Sequence, residues 1–167
     1  DAAGRGVTET LPHRDEPAGA RRYRLDREIV ADWIVHAIGL VCGLVGGIGL
    51  LATAARSPGG TQIVPIGVYV AGLLAMLICS ALYHVLLSHP RREWFRRLDH
   101  AAIFIMIAGT YTPIALLALD RPWDLAITLA VWAVAVTGVV LKLLRPRSIE
   151  SVSVALYLLQ GWLGLFA

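Results

Sequence analysis

Apolar residues in this chain come in long, unbroken blocks. Residues 33–55, 57–88, 101–119, 125–141 and 151–167 contain no Asp, Glu, Lys or Arg. A helix of about 20 apolar residues crosses roughly 30 Å of hydrocarbon. The pattern therefore predicts an all-α, polytopic membrane helix bundle, with spans at about 29–54, 63–87, 99–119, 123–144 and 151–167. The last block is still apolar at Ala167, and the first residue is Asp1 rather than Met. A stop in mid-bilayer is unusual, so the expectation is a piece of a longer protein.

The polar segments predict the rest of the layout. Residues 1–28 mix Gly, Pro, Arg and acidic residues without an apolar period. They read as a disordered basic tail, with 26–32 able to extend the first helix into the headgroup zone. Residues 29–167 form the transmembrane domain. In the first span, Gly39, Gly43, Gly46, Gly47 and Gly49 would admit a neighbouring helix at close range. Arg56-Ser-Pro-Gly-Gly60 is a short turn, and Pro65 falls in a first helical turn, where proline is tolerated. Pro113 should kink the third span, with Thr110 or Thr112 re-satisfying a freed carbonyl.

Composition agrees: 57% of residues are hydrophobic and 16% charged, with a mean hydropathy of +0.66. The net charge of +3 suggests a nucleic-acid partner until the cations are placed. All but two of the fifteen Lys and Arg lie in the tail or in the loops after spans two and four; only Arg56 and Arg121 occupy the alternate loops. This is the positive-inside pattern of a membrane protein with its N-terminus in the cytoplasm. It argues against nucleic acid, and for membrane lipids as surroundings and a location in the inner (plasma) membrane. Cys42 and Cys79 fall inside spans without a CxxC spacing and read as packing residues. The first apolar run is too long for the core of a cleavable signal.

Within this lipid-facing chain, two polar clusters stand out. Ser80-Ala-Leu-Tyr-His84 closes the second span and Asp99-His100 opens the third. Topology puts both in one leaflet, together with His36 of the first span. Such groups are costly near lipid and usually bind or react. Ser80 and His84, four apart, share a helix face. His84 can offer an imidazole nitrogen to zinc, Ser80 can orient a ligand or a water, and Asp99 can ligate or act as general base. The bland alternatives are specific. Ser80 can bond its own helix while His84 bonds another. Asp99 can cap a helix start or pair with Arg91, Arg92, Arg96 or Arg97. His36 is a third ligand or a buried hydrogen-bonding partner, and His100 faces the site or the headgroups. His13 and His89 read as solvated, and Tyr83 and Tyr111 as packing or belt residues.

Three ordered elements, Ser80–His84, Arg97-Leu-Asp-His100 and Ile107-Ala-Gly-Thr-Tyr-Thr-Pro113, resemble the hemolysin III family. This is the bacterial branch of the progesterone and adiponectin receptor superfamily. The likeness runs from about Arg27 to the last residue, through Val140-Leu-Lys-Leu-Leu144 and Leu156-Tyr-Leu-Leu-Gln-Gly-Trp162. It implies a seven-helix protein with Zn2+ near the cytoplasmic face, bound by His84, with Ser80 and Asp99 close by and His36 typical of the branch. It also implies an HxxxH on the seventh helix, yet no His follows His100 here. Related ceramidases share the Ser, Asp and His pattern. The resemblance thus points to a zinc-dependent hydrolase of lipid amides, with Asp99 and Ser80 catalytic and His84 and Asp99 as metal ligands. The alternatives are a receptor or sensor with structural zinc, or a cytolytic membrane protein. The uniformly apolar spans carry no polar stripe to line a pore, which weighs against cytolysis through a pore.

Overall fold

The computed structural model describes residues 18–86, 89–144 and 150–162. Five helices follow one another: α1 (Ala18–Ala55), α2 (Ile63–Val85), α3 (Arg92–Ala118), α4 (Trp123–Leu144) and α5 (Glu150–Trp162). No strand occurs among the described residues. Among the described residues, four stretches are long and apolar enough to cross a membrane: Ile29–Ala55, Ile63–Val85, Arg92–Ala118 and Trp123–Leu144. The protein is an all-helical, multi-pass membrane protein. Val41, Leu129 and Leu144 are 62%, 68% and 74% exposed, as suits side chains whose solvent is hydrocarbon. Helix α5 has 13 residues; positions 163–167 of the expected fifth span lie outside the described residues, as do 1–17 of the expected tail.

The chain divides into two compact units, residues 1–31 and 32–167. In the first, helix α1 already begins at Ala18, inside the stretch read as tail. Ala, Arg and Leu dominate 18–25, and all three favour helix. The packing below belongs to the second unit.

Helix α3 is central, packing against α2 and α4, with α5 touching both α3 and α4. Its crossing with α2 is made backbone to backbone. A Cβ on Gly72 would lie 3.3 Å from the Ile105 carbonyl oxygen, and one on Gly109 would lie 3.3 Å from that of Val68. Small residues let helices meet this closely where burial from water supplies no drive. In the first span, Gly43 and Gly47 lie under Leu77 and Val70 of α2, whereas Gly46 and Gly49 meet nothing. Three of the expected glycines, Gly39 among them at 3.5 Å from Leu77, thus face a neighbour, but the backbone-to-backbone approach uses a pair in α2 and α3.

The core lies between α3 and α4 and comprises Phe104, Ala108, Val131 and Ala135. Tyr157 of α5 stacks on Phe104 at 4.2 Å between centroids. Gly138 leaves the room that the Phe104 ring fills; a Cβ there would overlap it. Gln160 is wholly buried, and its Nε2 donates to the carbonyls of Phe104 (3.2 Å) and Val131 (3.4 Å). One amide so joins three helices.

Pro113 lies inside α3 and frees the carbonyl of Gly109 one turn back. Neither threonine takes it up. Thr110 donates to Met106 (2.9 Å) and Thr112 to Ala108 (2.8 Å), each one turn back on its own side. Thr112 also accepts from the Trp132 indole of α4 at 3.0 Å.

Candidate functional site

The polar groups of α1 and α2 meet through one hydroxyl. His36 Nε2 lies 3.2 Å from Ser80 Oγ, and the His36 and His84 rings lie 4.3 Å apart at their centroids. His36 Nδ1 is 2.7 Å from the Asp32 carbonyl, and His84 Nδ1 is 2.9 Å from that of Ser80. On α3, His100 Nδ1 is 2.7 Å from the Arg96 carbonyl. A carbonyl only accepts, so in each neutral ring Nδ1 carries the hydrogen and Nε2 keeps its lone pair. In His36 that lone pair accepts from Ser80. In His84 and His100, no protein donor among the described residues reaches Nε2. The spacing explains the anchoring: each imidazole stands one helical turn beyond the carbonyl it bonds.

The two bland expectations for Ser80 and His84 are thereby exchanged. Ser80 reaches across to another helix and His84 bonds its own. Tyr83 packs edge-on to His84 at 5.2 Å. The His36 and His84 rings border a cavity of about 180 Å³ between α1 and α2, walled by Trp33, Leu40, Ala81 and Val85. Its lining is almost entirely apolar.

Asp99 is not at a helix start. Helix α3 begins at Arg92, two turns earlier, so the carboxylate cannot cap it. The charged stretch before Asp99 is itself helical, braced by an Arg96–Glu93 pair at 2.8 Å one turn apart. No arginine pairs with Asp99 among the described residues. The half-buried carboxylate instead lies within electrostatic reach of the Cys79 thiol and the Tyr157 hydroxyl. Tyr157 donates to the His100 carbonyl at 2.8 Å, which ties α5 to this part of α3. Tyr111 donates to Gly161 at 2.5 Å. Sequence reading passed over Tyr157 and Gln160. Their signal is a lone phenol and a lone amide in an otherwise apolar run.

A family model described as Haemolysin-III related matches residues 23–167. The chain belongs to the haemolysin III family. It is 32% identical over 148 residues to Hemolysin-3 of Bacillus cereus, covering 88% of this chain and 67% of that protein. It is 29% identical over 141 residues to the Hemolysin-3 homolog of Bacillus subtilis (strain 168), covering 84% of this chain and 66% of the relative. The chain thus spans about two thirds of these relatives' length. No solved structure matches it. The haemolysin III match takes in His36, Ser80, His84, Asp99 and His100 alike.

In chemistry, the donors of this haemolysin III chain suit zinc: imidazoles with Nδ1 tied back, Nε2 open in His84 and His100 and taken by Ser80 in His36, and an unpaired carboxylate. In number they fall short. Among the described residues, no three His, Cys, Asp or Glu side chains gather into a set able to hold a metal ion. Structural zinc takes four protein ligands and catalytic zinc usually three.

Proposed function

We propose that this haemolysin III chain carries part of the active site of a zinc-dependent hydrolase of lipid amides, at the cytoplasmic side of the inner membrane. The supporting observation is the common anchoring of His36, His84 and His100, which presents Nε2 rather than Nδ1 from each ring. His84 and Asp99 would hold the ion, with His100 as a further donor, or His36 where its bond to Ser80 is given up, and bound zinc would polarise the acyl carbonyl and acidify water. Ser80 donates its hydroxyl hydrogen to His36 Nε2, and so holds that ring against His84. Where Asp99 does not itself ligate the ion, its carboxylate, unpaired with arginine among the described residues, accepts a proton and returns it to the leaving amine. The apolar cavity beside the rings excludes water and takes the alkyl chain next to the scissile bond. The HxxxH implied by the resemblance has no counterpart after His100 in this sequence.

Metal analysis and turnover of fluorescent ceramides by the purified full-length protein test this reading together. Zinc should co-purify at one ion per chain and be lost in His84→Ala. Asp99→Ala should lower turnover by roughly 10²- to 10⁴-fold, the usual worth of a general acid–base group. A zinc-loaded protein that leaves every acyl amide intact would overturn the hydrolase and leave a receptor whose zinc ties helices together. The relatives' name, Hemolysin-3, supplies a second reading, cytolysis. Haemoglobin release from erythrocytes by the purified protein, unchanged in Asp99→Ala, would favour it.

A further inference from the structure

Helix α4 sets Val131, Ala135, Gly138 and Lys142 along one buried face. The first three meet the Phe104 side of α3. Lys142 continues the row one turn further and is only 5% exposed. Arg97, two turns before Phe104 on the same side of α3, arrives at this level. Its Nη1 donates to the Leu143 carbonyl at 3.3 Å, while its Nε is buried without a partner. The guanidinium edge formed by Nε and Nη2 carries no hydrogen bond among the described residues. Lys142 has neither hydrogen bond nor ion pair among them, and Asp99 reaches neither cation.

Two cations in an apolar setting without a carboxylate are expensive unless something compensates them. The carbonyl end of α4 offers the equivalent of roughly half a negative charge, against two full positive ones. An anion at this level would supply the missing charge. Both residues sit at the ends of membrane spans, beside Arg91, Arg92 and Arg96, which is where headgroups lie. Phosphodiesters are the most concentrated anions at that depth, and basic pockets between spans hold them. An open Nε–Nη2 edge also fits two phosphate oxygens at once.

We propose that Lys142 and Arg97 form a binding site for the phosphate of an anionic phospholipid, wedged between α3 and α4. Arg97 holds the α4 terminus through Nη1 and the phosphate through its other edge. Lys142 supplies the second charge from beneath. The site is separate from His36, Ser80 and His84 and does not depend on zinc.

The test uses the full chain, purified and exchanged into nanodiscs of phosphatidylcholine with or without phosphatidylglycerol. Retained lipid is read by native mass spectrometry and thermal midpoint by fluorescence. Wild type should retain phosphatidylglycerol over phosphatidylcholine and melt higher with it. Lys142→Met should weaken that preference about fivefold, by the usual worth of one basic residue near an anionic surface. Lys142→Arg should restore it. Arg121→Gln, an equal loss of charge at an exposed position in the opposite loop, should leave it unchanged, which separates a local site from net charge and from the basic tail. A folded Lys142→Met protein with undiminished preference would overturn the proposal. So would a wild type indifferent to the two lipids, whether or not the variant folds. Inorganic phosphate should not stabilise the detergent-purified protein; stabilisation equal to that by phosphatidylglycerol would make the ligand free phosphate and overturn the lipid site.

Discussion

A hydroxyl and an imidazole joined between two membrane helices have little water competing for either. The His36–Ser80 bond should therefore be measurable as stability. His36→Phe keeps a ring of similar bulk, and should cost about 0.6–2 kcal/mol, the range for hydrogen bonds between membrane helices. Ser80→Ala should cost a similar amount. The double variant should cost little more than either single one, because both remove the same bond. Reversible unfolding in mixed micelles reads this directly, and fully additive costs would show that the bond contributes nothing. The cast of residues was legible from sequence, since a Ser, three His and an Asp in apolar surroundings are conspicuous. Their partners were not. Whether Ser80 turns to its own helix or to α1 depends on which face α1 presents, and no local spacing encodes that. Asp99 was misjudged for a related reason: Arg92–Leu98 looked like a loop by its charge, but its residues favour helix, and the cap position moved two turns upstream.

Among the helices, size complementarity decides what can change. Gly138 and Phe104 are a fitted pair, with the ring filling the space a Cβ would need. Gly138→Ala should destabilise by about 1–3 kcal/mol through overpacking. Adding Phe104→Leu should return part of that loss, whereas Phe104→Leu alone opens a void and is unfavourable. A thermal-shift cycle over the four proteins would show the compensation as non-additivity. Among the described residues four helices are long and apolar enough to cross a membrane, because a charge-free run of membrane length leaves a helix few other choices, though the third begins two turns before its expected start. The glycines were only half readable. Five in one span drew attention to α1, yet Gly72 and Gly109, one in each of two helices, make the backbone-to-backbone crossing. A stripe within one helix is visible in sequence; a match between two helices requires knowing their register.

For the molecule as a whole, the arginines predict which ends of the spans face the cytoplasm. In a background lacking Cys42 and Cys79, Arg121→Cys should react with a membrane-impermeant maleimide added outside intact spheroplasts. Arg91→Cys should react only after lysis. The reverse labelling would invert the topology and move the His84 region to the outer leaflet. How firmly this region is joined follows from the crossing at Gly72 and Gly109. At this crossing no side chains are interposed, so α2 and α3 have no compliant layer there along which to shear. Helix α1, by contrast, rests on α2 through Leu77, Val70 and one hydroxyl. The cavity beside His36 and His84 therefore lies along the more loosely joined of these two seams.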